Sequence, residues 1–269
     1  MEEKKTAGAV FPENGTTGRE NTGKVPPGGG VSPEARELAE RAGLTLEEGP
    51  DGLVLSDGEL SLTGDFSRLI PRLKQKNLER ELLVRAVKPG RTVPGPFVVD
   101  ATAGLGEDSL ILAAAGCRVL MYEHNPVVAA LLSDALGRAA SVPELSAAAG
   151  RMKVIPEDSV TALRNLGEDC RPDIVLLDPM FPERRKAALI NKKLQLLRRL
   201  ELPCAGEREL LLSAVLAGPS RIVIKRPPKG PFLAGLKPDF SVQGRSVRYD
   251  CIVNPGSRAG ALQADTFRV

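Results

Sequence analysis

From residue 96 onward the chain alternates short apolar runs with segments of helical spacing, and this alternation limits the fold more than any other feature. Phe97-Val98-Val99-Asp100, Arg118-Val119-Leu120-Met121-Tyr122, Met152-Lys153-Val154-Ile155, Ile174-Val175-Leu176-Leu177 and Ile222-Val223-Ile224-Lys225 read as strands, and Ser246 to Val253 supplies at least one more. Helical segments separate them: Ser109 to Ala115 closed by Gly116, Pro126 to Ala139, Val160 to Leu166, and two more over 187–200 and 206–217. Strands separated by helices imply an α/β fold with a doubly wound, mostly parallel sheet covered on both faces. After Pro227-Pro228 no helical segment intervenes, so the last strands read as an antiparallel edge hairpin.

Upstream the organisation differs. Residues 1–31 are rich in glycine and proline and nearly free of apolar side chains, which predicts a disordered tail. Residues 32–92 form a small N-terminal α+β unit. Ser32-Pro33 is a helix start, Gly43 a helix end, and the runs around Leu44, Leu53 and Leu60 are short strands. Such a unit is too small for a secure core and must pack on the domain that follows, residues 93–269. Its last part, residues 66–91, is a basic amphipathic stretch, read as a basic helix. Leu78, Leu82, Leu83 and Ala86 make an apolar face, and Arg68, Arg72, Lys74, Lys76, Arg80 and Arg85 are either a solvated face or a surface for a polyanion.

Composition removes several function classes. Of 269 residues, 42% are hydrophobic and 26% charged, ordinary values for a soluble globular chain, and no run of about 18 apolar residues is present to span a membrane. Met1-Glu2-Glu3-Lys4-Lys5 offers no apolar core of a secretory signal, and the four cysteines are scattered with no CxxC pair, so a reduced, cytoplasmic setting is expected and a metal site is not. A single histidine, His124, argues against a histidine-based triad. The net charge of +3 does not by itself imply a nucleic-acid partner.

The chemistry concentrates at strand ends. Asp100-Ala101-Thr102-Ala103-Gly104-Leu105-Gly106-Glu107-Asp108 follows a strand and opens a helix. Gly104 and Gly106 let a ligand approach the backbone, but the third glycine of the dinucleotide fingerprint is Ser109. Glu107 and Asp108 repel a pyrophosphate and suit a cationic cofactor; S-adenosylmethionine, with its sulfonium and ammonium groups, fits. Glu123 ends the next strand, where an acid binds ribose hydroxyls of either a nucleoside or a dinucleotide. His124 beside it is read as an adenosine contact before a catalytic base. Glu157-Asp158-Ser159 after the third strand either meets the adenine amine or caps the next helix, with Ser159 as the cap. Asp178-Pro179-Met180-Phe181-Pro182 after the fourth strand is the sharpest signal. It resembles the loop with which class I methyltransferases position the exocyclic amine of a base. There the acid and a proline carbonyl accept the amine hydrogens, the aromatic ring stacks on the base, and the lone pair is aimed at the methyl group.

Together with Val223-Ile224-Lys225-Arg226-Pro227, these motifs resemble the RsmJ family over about Gly43 to Val253. That resemblance implies S-adenosylmethionine-dependent methylation of a guanosine N2 amine in small-subunit (16S) ribosomal RNA, with the RNA or the 30S subunit as partner and neither membrane nor metal involved. It places cofactor contacts on Asp100, Gly104, Gly106, Glu107, Asp108, Glu123, His124, Asp158, Ser159 and Asp178, and amine recognition on Asp178, Pro179 and Phe181. Arg184, Arg185, Lys186, Lys225 and Arg226 lie around the same strand ends and are read as an RNA-binding rim. The competing readings are a methyltransferase acting on another RNA or base amine, a nicotinamide-dependent reductase, which the acidic loop disfavours, and a non-catalytic ribosome-assembly protein.

Overall fold

The computed structural model describes residues 31–88, 95–167, 170–179, 192–200, 202 and 206–264. Helix α1 (Pro33–Arg41) opens it. The Ser32 hydroxyl oxygen accepts from the Ala35 N–H at 3.2 Å, and Pro33 occupies a position where no amide hydrogen is required. Strands β1 (Thr45–Gly49), β2 (Gly52–Ser56) and β3 (Ser61–Thr63) form a separate antiparallel sheet in the order β1-β2-β3.

The basic stretch that follows is not one helix. It is a 3-10 turn (Ser67–Leu69) and three short helices, α2 (Ile70–Leu73), α3 (Gln75–Leu78) and α4 (Leu82–Val87). Lys74 and Glu81 take extended ψ angles of 136° and 125° and break the ladder between them, and Lys88, at φ 50°, ends the last helix. The Asn77 side-chain amide donates to the Pro71 carbonyl at 2.7 Å across the first break. Leu78, Leu83 and Ala86 are buried as their spacing predicts, but as anchors of separate turns.

The main domain runs β4 (Phe97–Asp100), α5 (Glu107–Ala114), β5 (Arg118–Tyr122), α6 (Pro126–Ala139), α7 (Pro143–Ala149), β6 (Met152–Ile155), α8 (Ser159–Arg164), β7 (Ile174–Leu177), α9 (Lys192–Arg199), α10 (Glu207–Leu216), β8 (Arg221–Arg226), β9 (Phe240–Gln243), β10 (Arg248–Val253) and α11 (Ala259–Ala264). The sheet order is β6-β5-β4-β7-β8-β10-β9, with β4 to β8 parallel and β10 antiparallel to both β8 and β9. The doubly wound sheet and its terminal antiparallel hairpin match the sequence expectation, while α7 and α11 were not anticipated.

Successive strand residues feed two cores. Val98, Val119, Met121, Ile174, Leu176 and Val223 pack on one face. Val99, Leu120, Tyr122, Val175, Leu177, Ile222 and Ile224 pack on the other. Strands buried on both sides carry no polar alternation, which is why their sequences are continuous apolar runs.

A third core joins the N-terminal unit to the domain. Leu38, Leu46, Leu55 and Leu62 close on Val127 and Leu131 of α6 and on Leu196 and Leu200 at the end of α9. Polar bonds reinforce the seam. Asp134 Oδ2 accepts from the Leu53 N–H at 3.0 Å, Arg138 reaches the Gly64 carbonyl, and Arg199 Nη2 donates to the Ala42 and Gly43 carbonyls at 2.7 and 3.0 Å. Gly64 is required here, because a Cβ would stand 2.8 Å from the Leu131 carbonyl oxygen. Leu131 is wholly buried in this seam. Leu131→Ala is expected to cost about 2–5 kcal/mol in denaturant unfolding and to expose the N-terminal unit to limited proteolysis before the sheet domain is cut.

Candidate active site

The crevice opens where the chain reverses direction across the sheet. From β4 the strands step outward through β5 to β6, and the chain then returns to lay β7 on the other side of β4. The carboxyl ends of β4 and β7 are thus neighbours with diverging loops above them, the usual place for a ligand in an open α/β sheet.

Asp100 ends β4 and is buried. Its Oδ1 accepts from the Thr102 N–H at 3.1 Å and its Oδ2 from the Ser109 hydroxyl at 2.6 Å. Burial, with a smaller contribution from the nearby Asp108 and Asp178, raises its pKa to about 7 against the opposing pull of those two bonds. The loop then turns through Gly104 (φ 54°) and Gly106 (φ 73°), the latter being the N-cap of α5. A Cβ on Gly106 would meet Leu132 Cδ1 at 2.5 Å, whereas the space over Gly104 is open. Ser109, where the dinucleotide fingerprint wants glycine, therefore has a use of its own: it holds Asp100.

Thr102 ties the two motif loops together. Its hydroxyl oxygen accepts from the Asp178 N–H at 2.6 Å. Sequence reasoning missed this residue, since a threonine between two alanines carries no signal until the β7 loop is laid beside it.

Glu123 at the end of β5 is nearly buried. Its Oε2 accepts from the Gly104 N–H and its Oε1 from the Asn125 N–H, both at 2.9 Å. The acid thus lies directly against the glycine loop, while His124 is exposed with Nδ1 3.6 Å from Glu123 Oε1. Asn125 also went unassigned. Its Oδ1 caps α6 at the Val127 and Val128 amides, and its Nδ2 donates to the Leu200 carbonyl at 2.7 Å.

Several expected roles need correction. Lys225 is not on an outer rim: its ammonium Nζ lies 2.6 Å from Asp108 Oδ2 and 3.1 Å from Asp178 Oδ2. Arg226 is buried, with Nε donating to the Pro231 carbonyl at 2.8 Å and Nη1 3.3 Å from Glu207, so it does not reach a phosphate. Glu107, in the first turn of α5, pairs with Arg68. The cap of α8 is Asp158, not Ser159: Asp158 Oδ2 accepts from the Thr161 N–H and hydroxyl, both at 2.8 Å. Asp158 and Ser159 stand at the β6 end, on the far side of β5 from Asp178. Pro179 follows Asp178 directly, whereas Met180, Phe181, Pro182, Arg184, Arg185 and Lys186 lie outside the described residues.

The site is acidic around a backbone that glycine leaves open. Asp100, Asp108, Glu123 and Asp178 surround it, and Lys225 is engaged by two of them. That lining suits a sulfonium, an ammonium and the hydroxyls of a ribose, and disfavours a pyrophosphate. Among the described residues no group of acidic, histidine or cysteine side chains is arranged to hold a metal, and no helix is long and apolar enough to cross a membrane.

Asp100 gives the fold a pH signature. Between about pH 4 and pH 7 the unfolded chain releases this proton while the folded chain keeps it, so Asp100 makes stability fall as pH rises through that window. Asp100→Asn removes the titration. The melting temperature of the variant, measured against that of the unaltered protein, is expected to improve steadily from about pH 4.5 to about pH 7.5.

The comparisons with known proteins agree with this geometry. A family model described as SAM-dependent methyltransferase matches residues 46–254. The ribosomal RNA small subunit methyltransferase J of Nitrosococcus oceani is 40% identical over 238 residues, covering 80% of this chain and 92% of that protein. The protein of the same name from Pseudomonas aeruginosa is 43% identical over 234 residues, covering 80% and 88%. The crystal structure of a SAM-dependent methyltransferase from Neisseria gonorrhoeae superposes with a TM-score of 0.64 at 31% identity, over 83% of this chain and 93% of that one. A family model over residues 46–254 and relatives at about 40% identity along most of their length leave one assignment, and the chain belongs to the SAM-dependent methyltransferase family.

Proposed function

We propose that this enzyme transfers a methyl group from S-adenosylmethionine to the exocyclic N2 amine of a guanosine in small-subunit ribosomal RNA. The observation that carries the reading is the Thr102–Asp178 bond, which locks the Asp-Pro turn against the cofactor loop so that an amine held by Asp178 faces the same crevice. The names of the relatives supply the substrate class.

When bound, S-adenosylmethionine supplies an electrophilic methyl on a sulfonium centre. Gly104 and Gly106 give its amino-acid end access to the backbone, Asp108 offers a carboxylate at the start of α5, and Glu123 with His124 meets the ribose and adenosine. Asp158 and Ser159 stand where the adenine would end. Asp178 and the Pro179 carbonyl accept the hydrogens of the base amine, which orients its lone pair, and Phe181 provides the stacking face. As the sulfur–methyl bond broke to leave a thioether and the nitrogen–methyl bond formed, the amine proton would pass to solvent, so these residues would act by position and charge rather than as a base.

RNA affinity comes from the broken basic stretch instead of Lys225 and Arg226. Arg72, Lys74, Lys76, Arg80 and Arg85 are exposed on consecutive short turns, and Arg72 lies close enough to Asp108 for their charges to interact. A line of cations that includes Arg72 would suit phosphates flanking a splayed base.

The test is methyl transfer from isotope-labelled S-adenosylmethionine to small ribosomal subunits taken from cells lacking this protein, followed by nucleoside analysis. Label is expected in N2-methylguanosine. Asp178→Ala should reduce kcat by at least about a hundredfold while binding to the small subunit is largely retained. Label in another nucleoside would move the target, and an active Asp178→Ala would remove the amine-positioning role.

A further inference from the structure

Lys225 is the last residue but one of β8, with its side chain 23% exposed and its ammonium between two carboxylates. Asp108 approaches from the first turn of α5 and Asp178 from the turn above β7. In the β8–β10 ladder Lys225 is paired directly with Tyr249, so the phenol lies on the same sheet face. Asp100 sits at the neighbouring strand end and feels the charges of both Asp108 and Asp178. Three carboxylates thus converge on one poorly hydrated space, and Lys225 is the cation that two of them share.

We propose that Lys225 is a positioning residue for methyl transfer. By bridging Asp108 and Asp178 it holds the Asp178 carboxylate ionised and oriented, so that this group meets the base amine as a hydrogen-bond acceptor. The inference rests on the reading of Asp178 as the amine acceptor.

The reason is one of polarity. An amine hydrogen needs an acceptor, and a protonated Asp178 would present an O–H to it instead. Without a cation, like charges at this separation push one carboxyl pKa upward, and a proton is taken up to relieve the repulsion. Burial opposes the charge on Lys225, but the fields of Asp108 and Asp178 outweigh it and raise its pKa, so the ammonium persists across the physiological range and does not serve as a base. Among the described residues, the other groups considered at the cluster have engagements of their own. Burial keeps the Tyr249 phenol neutral by raising its pKa, and the charges of Asp108, Asp178 and Glu81 raise it further while Lys225 opposes them. Arg226 feels the charge of Asp178 and is paired with Glu207. Arg72 is engaged by Glu81 through two bonds of 2.8 and 2.9 Å.

The experiment compares Lys225→Met, Lys225→Arg and the double variant Lys225→Met/Asp108→Asn with the unaltered protein from about pH 5.5 to about pH 8.5. Two quantities are followed: methyl transfer to the small subunit, expressed as the ratio of variant to unaltered rate, and the melting temperature of the cofactor-free protein. The Lys225→Met rate ratio is expected to fall about tenfold or more as pH drops across this range, because a carboxyl group that has gained a proton no longer accepts from the amine. Its melting-temperature deficit is expected to widen as pH rises, since the folded variant then carries uncompensated carboxylates that the unfolded chain does not feel. Lys225→Arg should flatten both profiles, and so should removing one of the two opposing charges with Asp108→Asn.

A uniform loss of activity at every pH with a constant melting deficit would overturn the proposal, that being the behaviour of a phosphate contact or a packing residue. If Lys225→Met does not fold, the double variant decides: recovery of folding by Asp108→Asn supports charge compensation, and failure to recover counts against it. If the unaltered protein leaves no label in ribosomal RNA, the function proposed above fails, while the melting profiles still decide the role of Lys225.

Discussion

The parallel pairing of β4 with β7, two strands buried on both faces, is the constraint on which the rest of the molecule depends. Parallel neighbours cannot be joined by a tight turn, so each connection crosses a face of the sheet as helix or loop. The chain runs outward from β4 to β6 before returning to β7, and this detour separates the loops above β4 and β7 into a crevice. Asp100 and Asp178 reach that crevice from adjacent strands because the register sets Asp100 beside Leu176, two residues before Asp178. The Thr102 hydroxyl then closes the remaining gap.

Bringing acids to the dry end of a sheet carries an electrostatic penalty, and the site compensates each one differently. Asp100 is shielded by a hydroxyl and an amide and tends toward its neutral form. Glu123 is solvated by two backbone amides in place of water. Asp108 and Asp178 share one ammonium, and Glu107 has Arg68. Every carboxylate thus keeps a defined partner before any ligand arrives, and a preset arrangement of charges is what a reaction governed by orientation requires.

Much of this was legible in the sequence, for physical reasons that differ by residue. Strands such as Ile174–Leu177 declare themselves because burial on both faces removes every polar position. The glycine loop and Glu123 are legible because their chemistry depends on where a strand ends, which the apolar run marks. Other features depend on long-range contact. Lys225 and Arg226 look like surface cations by residue type, yet neighbours 117 and 19 positions away in the chain draw them inward. The stretch at 66–88 keeps helical spacing although extended residues at Lys74 and Glu81 divide it, because separate turns docked on one core reuse the same periodicity. Asp158 displaced Ser159 as the cap by a single position, within the usual uncertainty of a helix start when two capping residues are adjacent.

The seam between the N-terminal unit and α9 reaches the candidate site through one residue. Asn125, two positions after Glu123, caps α6 with its Oδ1 and holds the Leu200 carbonyl with its Nδ2. Leu196 and Leu200 enter the third core beside Val127 and Leu131 of α6, and Arg199 binds the backbone after α1. The small antiparallel sheet, which contributes none of the acids of the crevice, thereby acts as an abutment for α6 and α9 together, and a loosening of that sheet would be felt at the end of β5.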